Sequence, residues 1–261
     1  HEWFLKECAA LANRYDVGFA THLAESVDES NRARSVWPEG EVRRAYDLGL
    51  MGPKSLFFHS CVLNDEEMAL YAETGSSAAH CPPTNSMLGN VAYVPKMMAM
   101  GVNVGLGTDM PTHDMFKAML SVSQQHAIMP REMRGLMPWT PLEMATVNGA
   151  RALNLQDEIG TLEPGKKADI ITIDLSRNTR LFPLIPQVLS TFITVNGTGA
   201  DVADVIVDGD LLMRDQQLVH LDEQAIMARA QGWADEFLAY YMDMVERGEP
   251  LIPYIHDEFQ P

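Results

Sequence analysis

Five side chains that are suited to metal-assisted chemistry stand at or just after the ends of short apolar runs. They are His22, Glu25, His59, His80 and Asp109. A neutral imidazole binds metal ions, and a carboxylate beside it can move protons. Nitrogen and oxygen donors such as His22 and Asp109 suit zinc or ferrous iron rather than calcium. The residue types therefore indicate a site for one divalent metal ion.

The stretches that lead into these residues are typical of buried strands, because each is short, apolar and without helical periodicity. They are V-G-F-A-T-H (17–22), S-L-F-F-H (55–59), S-S-A-A-H (76–80) and V-N-V-G-L-G-T-D (102–109). Helices are predicted between them near 39–48, 64–74 and 94–100. Polar residues at the ends of successive strands separated by helices indicate a parallel α/β sheet or barrel, with its site at the carboxyl ends of the strands.

Each residue also has an ordinary explanation. His22 and Glu25 could form a surface or capping pair, and His59 and His80 could be hydrogen-bonded histidines at strand ends. Asp109 could cap the helix that follows it. The repetition of the pattern at four strand ends favours a site over these alternatives.

Composition excludes several classes of partner. The 261 residues include 36 acidic and 19 basic side chains, for a net charge of -17, which disfavours nucleic acid and anionic membranes. Cys8, Cys61 and Cys81 are far apart in sequence, so we expect neither a disulfide framework nor a zinc knuckle. Without an apolar run of about 20 residues, we expect a soluble, cytoplasmic protein.

Six motifs resemble the amidohydrolase superfamily, in the branch that holds cytosine, guanine and S-adenosylhomocysteine deaminases and triazine hydrolases. Four are site motifs: T-H-L-A-E, F-H-S, H-C-P-P-T-N and L-G-T-D. The others are M-A-T-V-N-G-A-R-A-L-N-L (144–155) and I-G-T-L-E-P-G-K-K-A-D-I (159–170). The resemblance covers roughly residues 16–240 and is more specific for the branch than for a substrate.

The resemblance implies roles for individual residues. His22 and Asp109 bind the metal, zinc or ferrous iron, and Asp109 also takes part in catalysis. Glu25 moves protons to the substrate nitrogen, and His59 hydrogen-bonds the attacking hydroxide or the developing tetrahedral oxygen. His80 and Asn85 are assigned to substrate binding or to orienting their turn, and His113 is assigned to substrate binding.

One departure from the family pattern is large. These enzymes carry a His-x-His pair at the end of the first barrel strand, and this sequence has none. We therefore expect the C-terminal half of a (β/α)8 TIM-type barrel, strands five to eight, in residues 1–160. Part of a small β-sandwich domain is expected in 161–220, with a hairpin at Asp208-Gly209, and a C-terminal helix and tail that pack on the barrel in 221–261. The N-terminal half of the barrel is expected to be a partner, and this segment alone is expected to be inactive.

The function that the resemblance implies is metal-dependent deamination of a small purine, pyrimidine, triazine or adenosine-type heterocycle. The alternatives are a related hydrolase that expels chloride or an alkylamine or opens a cyclic amide, and an inactive scaffold homologue. Assembly as a homo-oligomer is also left open.

Overall fold

A computed structural model describes residues 2–110, 112–130, 135–176 and 178–248. The described part of the chain contains a four-stranded parallel sheet followed by a four-stranded antiparallel sheet. This order confirms the predicted α/β class.

The parallel sheet consists of the four strands that the apolar runs predict. They are β1 Phe19–Leu23, β2 Ser55–His59, β3 Ser77–His80 and β4 Asn103–Leu106, paired in the order β1-β2-β3-β4. Within the described residues β1 and β4 each pair on one side only, so the sheet has two open edges. A sheet of this kind does not close into a barrel by itself.

Nine helices of the described chain surround or connect these strands. They are α1 Glu2–Tyr15, α2 Val27–Val36, α3 Glu41–Asp47, α4 Asp65–Thr74, α5 Pro82–Met87, α6 Val94–Ala99, α7 Met115–Ile128, α8 Thr140–Ala145 and α9 Val147–Ala152.

The predicted helix between β2 and β3 has the clearest local signals. Asn64 and Glu67 form a capping box in which each side chain accepts from the other's backbone N–H, and Gly75 ends the helix with a φ of 72°. The predicted helix near 39–48 begins only at Glu41, because Gly40 has a φ of 90° that no helix contains.

The main core lies between the parallel sheet and these helices. Its largest buried side chains include Phe57 on β2 and Tyr71 on α4, whose rings meet edge to face at 5.4 Å. Burial of this layer holds the strands in register and therefore fixes where each strand ends.

The antiparallel sheet contains β5 Ile170–Ile173, β6 Val202–Val207, β7 Asp210–Arg214 and β8 Gln217–Leu218. The predicted hairpin at Asp208-Gly209 is confirmed, and both of these turn residues have positive φ. The sequence predicts two strands in 202–219, whereas the structure has three, because Asp215 and Gln216 form a second tight turn. A small cluster around Phe116, Met119 and Val202 packs α7 against this sheet.

Two further α-helices follow β5, namely α10 Leu189–Asn196 and α11 Glu223–Glu246. The same part of the chain also contains the short 3-10 helices Thr179–Leu181, Pro186–Val188 and Gly199–Asp201. Helix α11 matches the predicted C-terminal helix, with Asp222 as its N-cap. It has no buried residue, and Trp233 and Phe237 are each more than 60% exposed. The structure of this chain thus does not show the expected packing of the helix on the barrel, since its apolar face meets no core here. The tail (249–261) lies outside the described residues. No helix in the described ranges is long and apolar enough to cross a membrane.

Candidate active site

The site is built from the carboxyl ends of the four parallel strands, beginning with His22 on β1. Strand register pairs His22 with Phe58 of β2, and the two rings meet edge to face at 5.2 Å. The ring of His22 also stacks on that of His59, with centroids 5.1 Å apart. His22 is exposed, and within the described chain neither of its ring nitrogens has a hydrogen-bond partner. Its nitrogens are therefore available to a ligand.

His59 is the centre of the arrangement. Its side chain is 2% exposed, and its Nε2 lies 3.5 Å from Glu25 Oε1 and 3.9 Å from Asp109 Oδ2. His22 and Glu25 come from the end of β1, and Asp109 comes just after β4. Adjacent strands lie about 4.8 Å apart, so β1 and β4 would be roughly 14 Å apart in a flat sheet. Contact of one ring with residues from both edges shows that the sheet curves strongly around His59.

Backbone conformation at the strand ends is unusual. Ala24, His59, Ser60 and Asp109 all have positive φ, between 50° and 69°. This region is costly for residues with a side chain, and such strain concentrates at functional sites. Alternation along β2 would place His59 on the same face as Phe57, away from His22. The positive φ of His59 interrupts this alternation. The His59 ring is therefore turned towards His22, on which it stacks.

Behind His59 lies a layer of fully buried polar side chains. Asn85, near the start of α5, places Nδ2 3.0 Å from His59 Nδ1. His80 Nε2 lies 3.0 Å from Gln125 Oε1 on α7, and the Gln125 amide nitrogen donates to the Pro82 carbonyl oxygen. Burial is the main cause that lowers the pKa of His80 to about 4, so this ring is neutral at physiological pH. His80 and Asn85 are both 0% exposed, which favours orientation of the site over direct contact with substrate.

Two cysteines also border the site, although their spacing in sequence gave no reason to place them there. Candidate ligand atoms of His59, Cys81 and Asp109 all lie within 4.8 Å of one another. Burial is the largest cause that raises the pKa of the Cys81 thiol to about 11 and that of Cys61 to about 12, and the charge of Glu25 adds to both. Both thiols are therefore protonated in the metal-free site, whereas a metal ion would deprotonate a thiol that coordinates it.

The strand-end residues fit one half of a zinc site. The His22 nitrogens are unpartnered in the described chain, and the Asp109 side chain is one-third exposed. Both residues contact the His59 ring, His22 by stacking and Asp109 through an oxygen 3.9 Å from Nε2. An imidazole nitrogen and a carboxylate oxygen are two of the four donors that zinc takes, and a tetrahedral site needs further donors from elsewhere.

Of the predicted site residues, the structure brings His22, Glu25, His59 and Asp109 together and places Asn85 directly behind them. His80 lies one layer deeper. His113 is exposed in the loop before α7, and its contact with substrate stays a prediction. Sequence reasoning missed Gln125 and Cys81. Gln125 had no local signal, because it lies in helix α7 beside another glutamine and is 45 residues from its partner His80. Cys81 lies in the H-C-P-P-T-N motif, in which only the histidine and the asparagine were assigned roles.

Comparison with known proteins gives a family match over most of the chain. Residues 2–212 match the model of the amidohydrolase family.

The similar proteins include deaminases. The 5-methylthioadenosine/S-adenosylhomocysteine deaminase of Symbiobacterium thermophilum is 37% identical in a 239-residue alignment that covers 87% of this chain and 53% of that protein. The 5'-deoxyadenosine deaminase of Methanothermobacter thermautotrophicus is 35% identical over 244 residues, covering 90% of this chain and 55% of that protein.

Among solved structures, an adenosine deaminase from Xanthomonas campestris with bound zinc superimposes with a TM-score of 0.82 at 28% identity. The match covers 92% of this chain and 55% of that one. The chain thus spans about half the length of the curated relatives and of the solved structure that it matches.

Proposed function

We propose, from the premise that this chain belongs to the amidohydrolase family, that the complete protein is a metal-dependent aminohydrolase that deaminates an adenosine-type heterocycle. The observation that carries the proposal is the position of Glu25, whose carboxylate lies 3.5 Å from His59 Nε2 beside the proposed ligands His22 and Asp109. The names of the two deaminase relatives support the choice of an adenosine-type ring among the purine, pyrimidine and triazine candidates.

The metal in this proposal is one divalent ion, zinc by preference, held by His22 and Asp109 together with donors outside this chain. A bound zinc ion lowers the pKa of a water molecule to about 7. The bound zinc in the related adenosine deaminase structure supports this choice over ferrous iron.

Glu25 supplies the proton transfers in this proposal. Loss of ammonia from an aromatic ring requires a proton on the ring nitrogen and another on the leaving amine. The Glu25 carboxyl is 21% exposed and stands at the open rim of the strands, so it can reach a bound ring and still contact His59. General acid–base catalysis of this kind contributes about 10²- to 10⁴-fold to the rate.

His59 supplies a fixed hydrogen-bond donor. Its Nε2 points into the space between Glu25 and Asp109, where the oxygen that attacks the ring carbon must arrive. A buried and immobile donor stabilises the charge that develops on that oxygen, because it does not need to reorganise during the reaction.

The test is ammonia release by the zinc-loaded, full-length protein from a panel of adenosine-type nucleosides, with pyrimidine and triazine substrates in the same panel. Glu25→Gln should lower the rate by about 10²-fold or more. Glu29→Gln is the matched control, because it makes the same charge change on the exposed face of α2. Release of chloride, an alkylamine or a ring-opened product without ammonia would instead identify one of the related hydrolases. No activity in any arm would indicate an inactive scaffold.

Three expectations complete the proposal. The other strands of the barrel and the remaining zinc ligands are supplied by sequence outside this chain, which the length of the relatives supports. The protein is expected to be cytoplasmic. It is also expected not to bind nucleic acid or anionic membranes, which the net charge of -17 supports. Homo-oligomers are compatible with the large exposed apolar side chains of α11.

A further inference from the structure

The side chains of Asn85 and His59 form a buried hydrogen bond. Asn85 is 0% exposed and His59 is 2% exposed, and the amide nitrogen of Asn85 lies 3.0 Å from His59 Nδ1. Asn85 Oδ1 has no hydrogen-bond partner among the described residues. The bond to His59 is therefore the only side-chain hydrogen bond that Asn85 makes there, in a place where water does not reach.

The opposite edge of the His59 ring faces negative charge. Glu25 and Asp109 both approach Nε2 and can only accept hydrogen bonds when ionised. A proton on Nε2 faces both carboxylates with positive charge density, whereas a lone pair there would be repelled by them. A neutral ring that carries this proton has a lone pair on Nδ1, and this lone pair requires a donor.

We propose that Asn85 is a positioning residue that donates its amide N–H to His59 Nδ1 and thereby holds His59 as the neutral Nε2–H tautomer, aimed at Glu25 and Asp109. The inference rests on the proposed function for its catalytic consequence, but the tautomer itself can be measured independently.

Local backbone geometry fixes Asn85 for this role. Its own N–H donates to the Cys81 carbonyl, and its carbonyl oxygen accepts from Asn90 N–H at 2.8 Å. Pro82 begins the helix, where the fixed φ of proline is favourable. These hydrogen bonds hold Asn85 in place in the short helix α5. The side chain of Asn85 is buried behind the His59 ring and does not reach the side of the ring on which a substrate would bind.

Replacement of Asn85 by Asp separates the chemical role from a packing role. Aspartate has nearly the same shape, but an ionised carboxylate accepts and cannot donate, so it favours a proton on Nδ1. Asn148→Asp is the matched control. Asn148 is 9% exposed and its amide nitrogen donates to the Val104 carbonyl, so this change also removes a buried donor without contact to His59.

The experiment uses the zinc-loaded, full-length protein with ¹⁵N-labelled histidine. Long-range ¹H–¹⁵N correlation spectra distinguish the two neutral tautomers from the charged ring, and His59→Gln assigns the signals. We expect the Nε2–H pattern in the wild type and in Asn148→Asp, and a protonated Nδ1 in Asn85→Asp. For ammonia release, kcat of Asn85→Asp should fall about 10- to 100-fold, the usual loss for an outer-shell partner, with KM unchanged.

Three results would overturn the inference. They are an Nδ1–H or doubly protonated ring in the wild type, an unchanged ring pattern in a folded Asn85→Asp variant, and a change in KM alone, which would identify Asn85 as a substrate contact. The wild-type spectrum decides the matter even if Asn85→Asp does not fold. A wild-type protein that shows the Nε2–H pattern but releases no ammonia would contradict the proposed function and leave the tautomer assignment intact.

Discussion

The two ends of the parallel sheet treat buried polar groups differently. At the amino ends of the strands, Ser76 Oγ accepts from Gly52 N–H, and Ser55 Oγ donates to the Leu50 carbonyl. At the carboxyl ends the buried groups include two imidazoles and an amide, and several backbones there have positive φ. One end contributes to stability, whereas the other gives up stability to hold reactive groups in place.

The strongest test of this contrast is His59→Leu, because leucine has a similar volume and no hydrogen-bonding group. Removal of the donor at Nε2 should lower kcat for ammonia release by about 10²- to 10³-fold, the usual effect of losing one preorganised donor. The melting temperature should change little compared with the change in rate. Nearly full activity together with a large loss of stability would mean that the carboxyl end is structural as well.

Acid should destabilise the carboxyl end through His80. Burial lowers the pKa of this histidine from 6.5 in the unfolded chain to about 4 in the folded protein. Between these two pH values the unfolded chain binds more protons, so the free energy of unfolding falls as the pH falls through this window. The loss attributable to His80 should be about 3 kcal/mol at the acid end.

Urea unfolding of the metal-free protein at several pH values between 4 and 7 measures this slope. His80→Gln should remove the contribution of His80, since glutamine does not titrate. Equal slopes in the two proteins would show that His80 is not the group responsible.

Ser76→Ala tests the opposite end. It removes the acceptor for the half-buried Gly52 N–H at 3.0 Å and the hydrogen bonds of Ser76 Oγ with Thr74 Oγ1 and the Gly52 carbonyl. The loss should be about 1–3 kcal/mol of unfolding free energy. Activity at a temperature where the variant is folded should equal that of the wild type. A reduced kcat in a folded Ser76→Ala protein would break the division between the two ends.

The smallest expected effect concerns backbone strain at the carboxyl ends of the strands, and two fully buried alanines allow it to be measured. Ala24 has a φ of 54°, whereas Ala78 lies in the middle of β3 with ordinary strand geometry. Both Ala→Gly changes lose a buried methyl group, but only Ala24→Gly relieves a left-handed conformation. Ala24→Gly should therefore be less destabilising than Ala78→Gly by about 1–2 kcal/mol. Equal losses in chemical denaturation would show that Ala24 stores no strain.

The sequence predicted the parts of the fold that depend on local pattern. Apolar runs located all four parallel strands, and Gly75 and Asp208-Gly209 marked a helix end and a hairpin where the structure has them. The grouping of His22, Glu25, His59 and Asp109 followed from the rule that parallel strands share one carboxyl edge.

What the sequence did not predict depends on tertiary contacts. Positive φ at Ala24 and His59 is contrary to the preference of both residue types, so no local signal exists for it. The hydrogen bond from Gln125 to Pro82 joins residues of two helices that are distant in sequence. Amphipathic spacing in α11 indicated a buried face, but it could not indicate which surface would cover that face.

The curvature of the parallel sheet has a consequence for metal affinity. His22 lies on β1 and Asp109 follows β4, the two outermost strands of the sheet, and both residues contact the ring of His59. Zinc holds its nitrogen and oxygen ligands at about 2.0–2.2 Å, a tolerance far smaller than the distance by which Asp109 would move if the sheet flattened. Zinc affinity is therefore sensitive to the curvature of the sheet. If the sheet flattens slightly, zinc affinity should fall even though the side chains of the core beneath it remain packed.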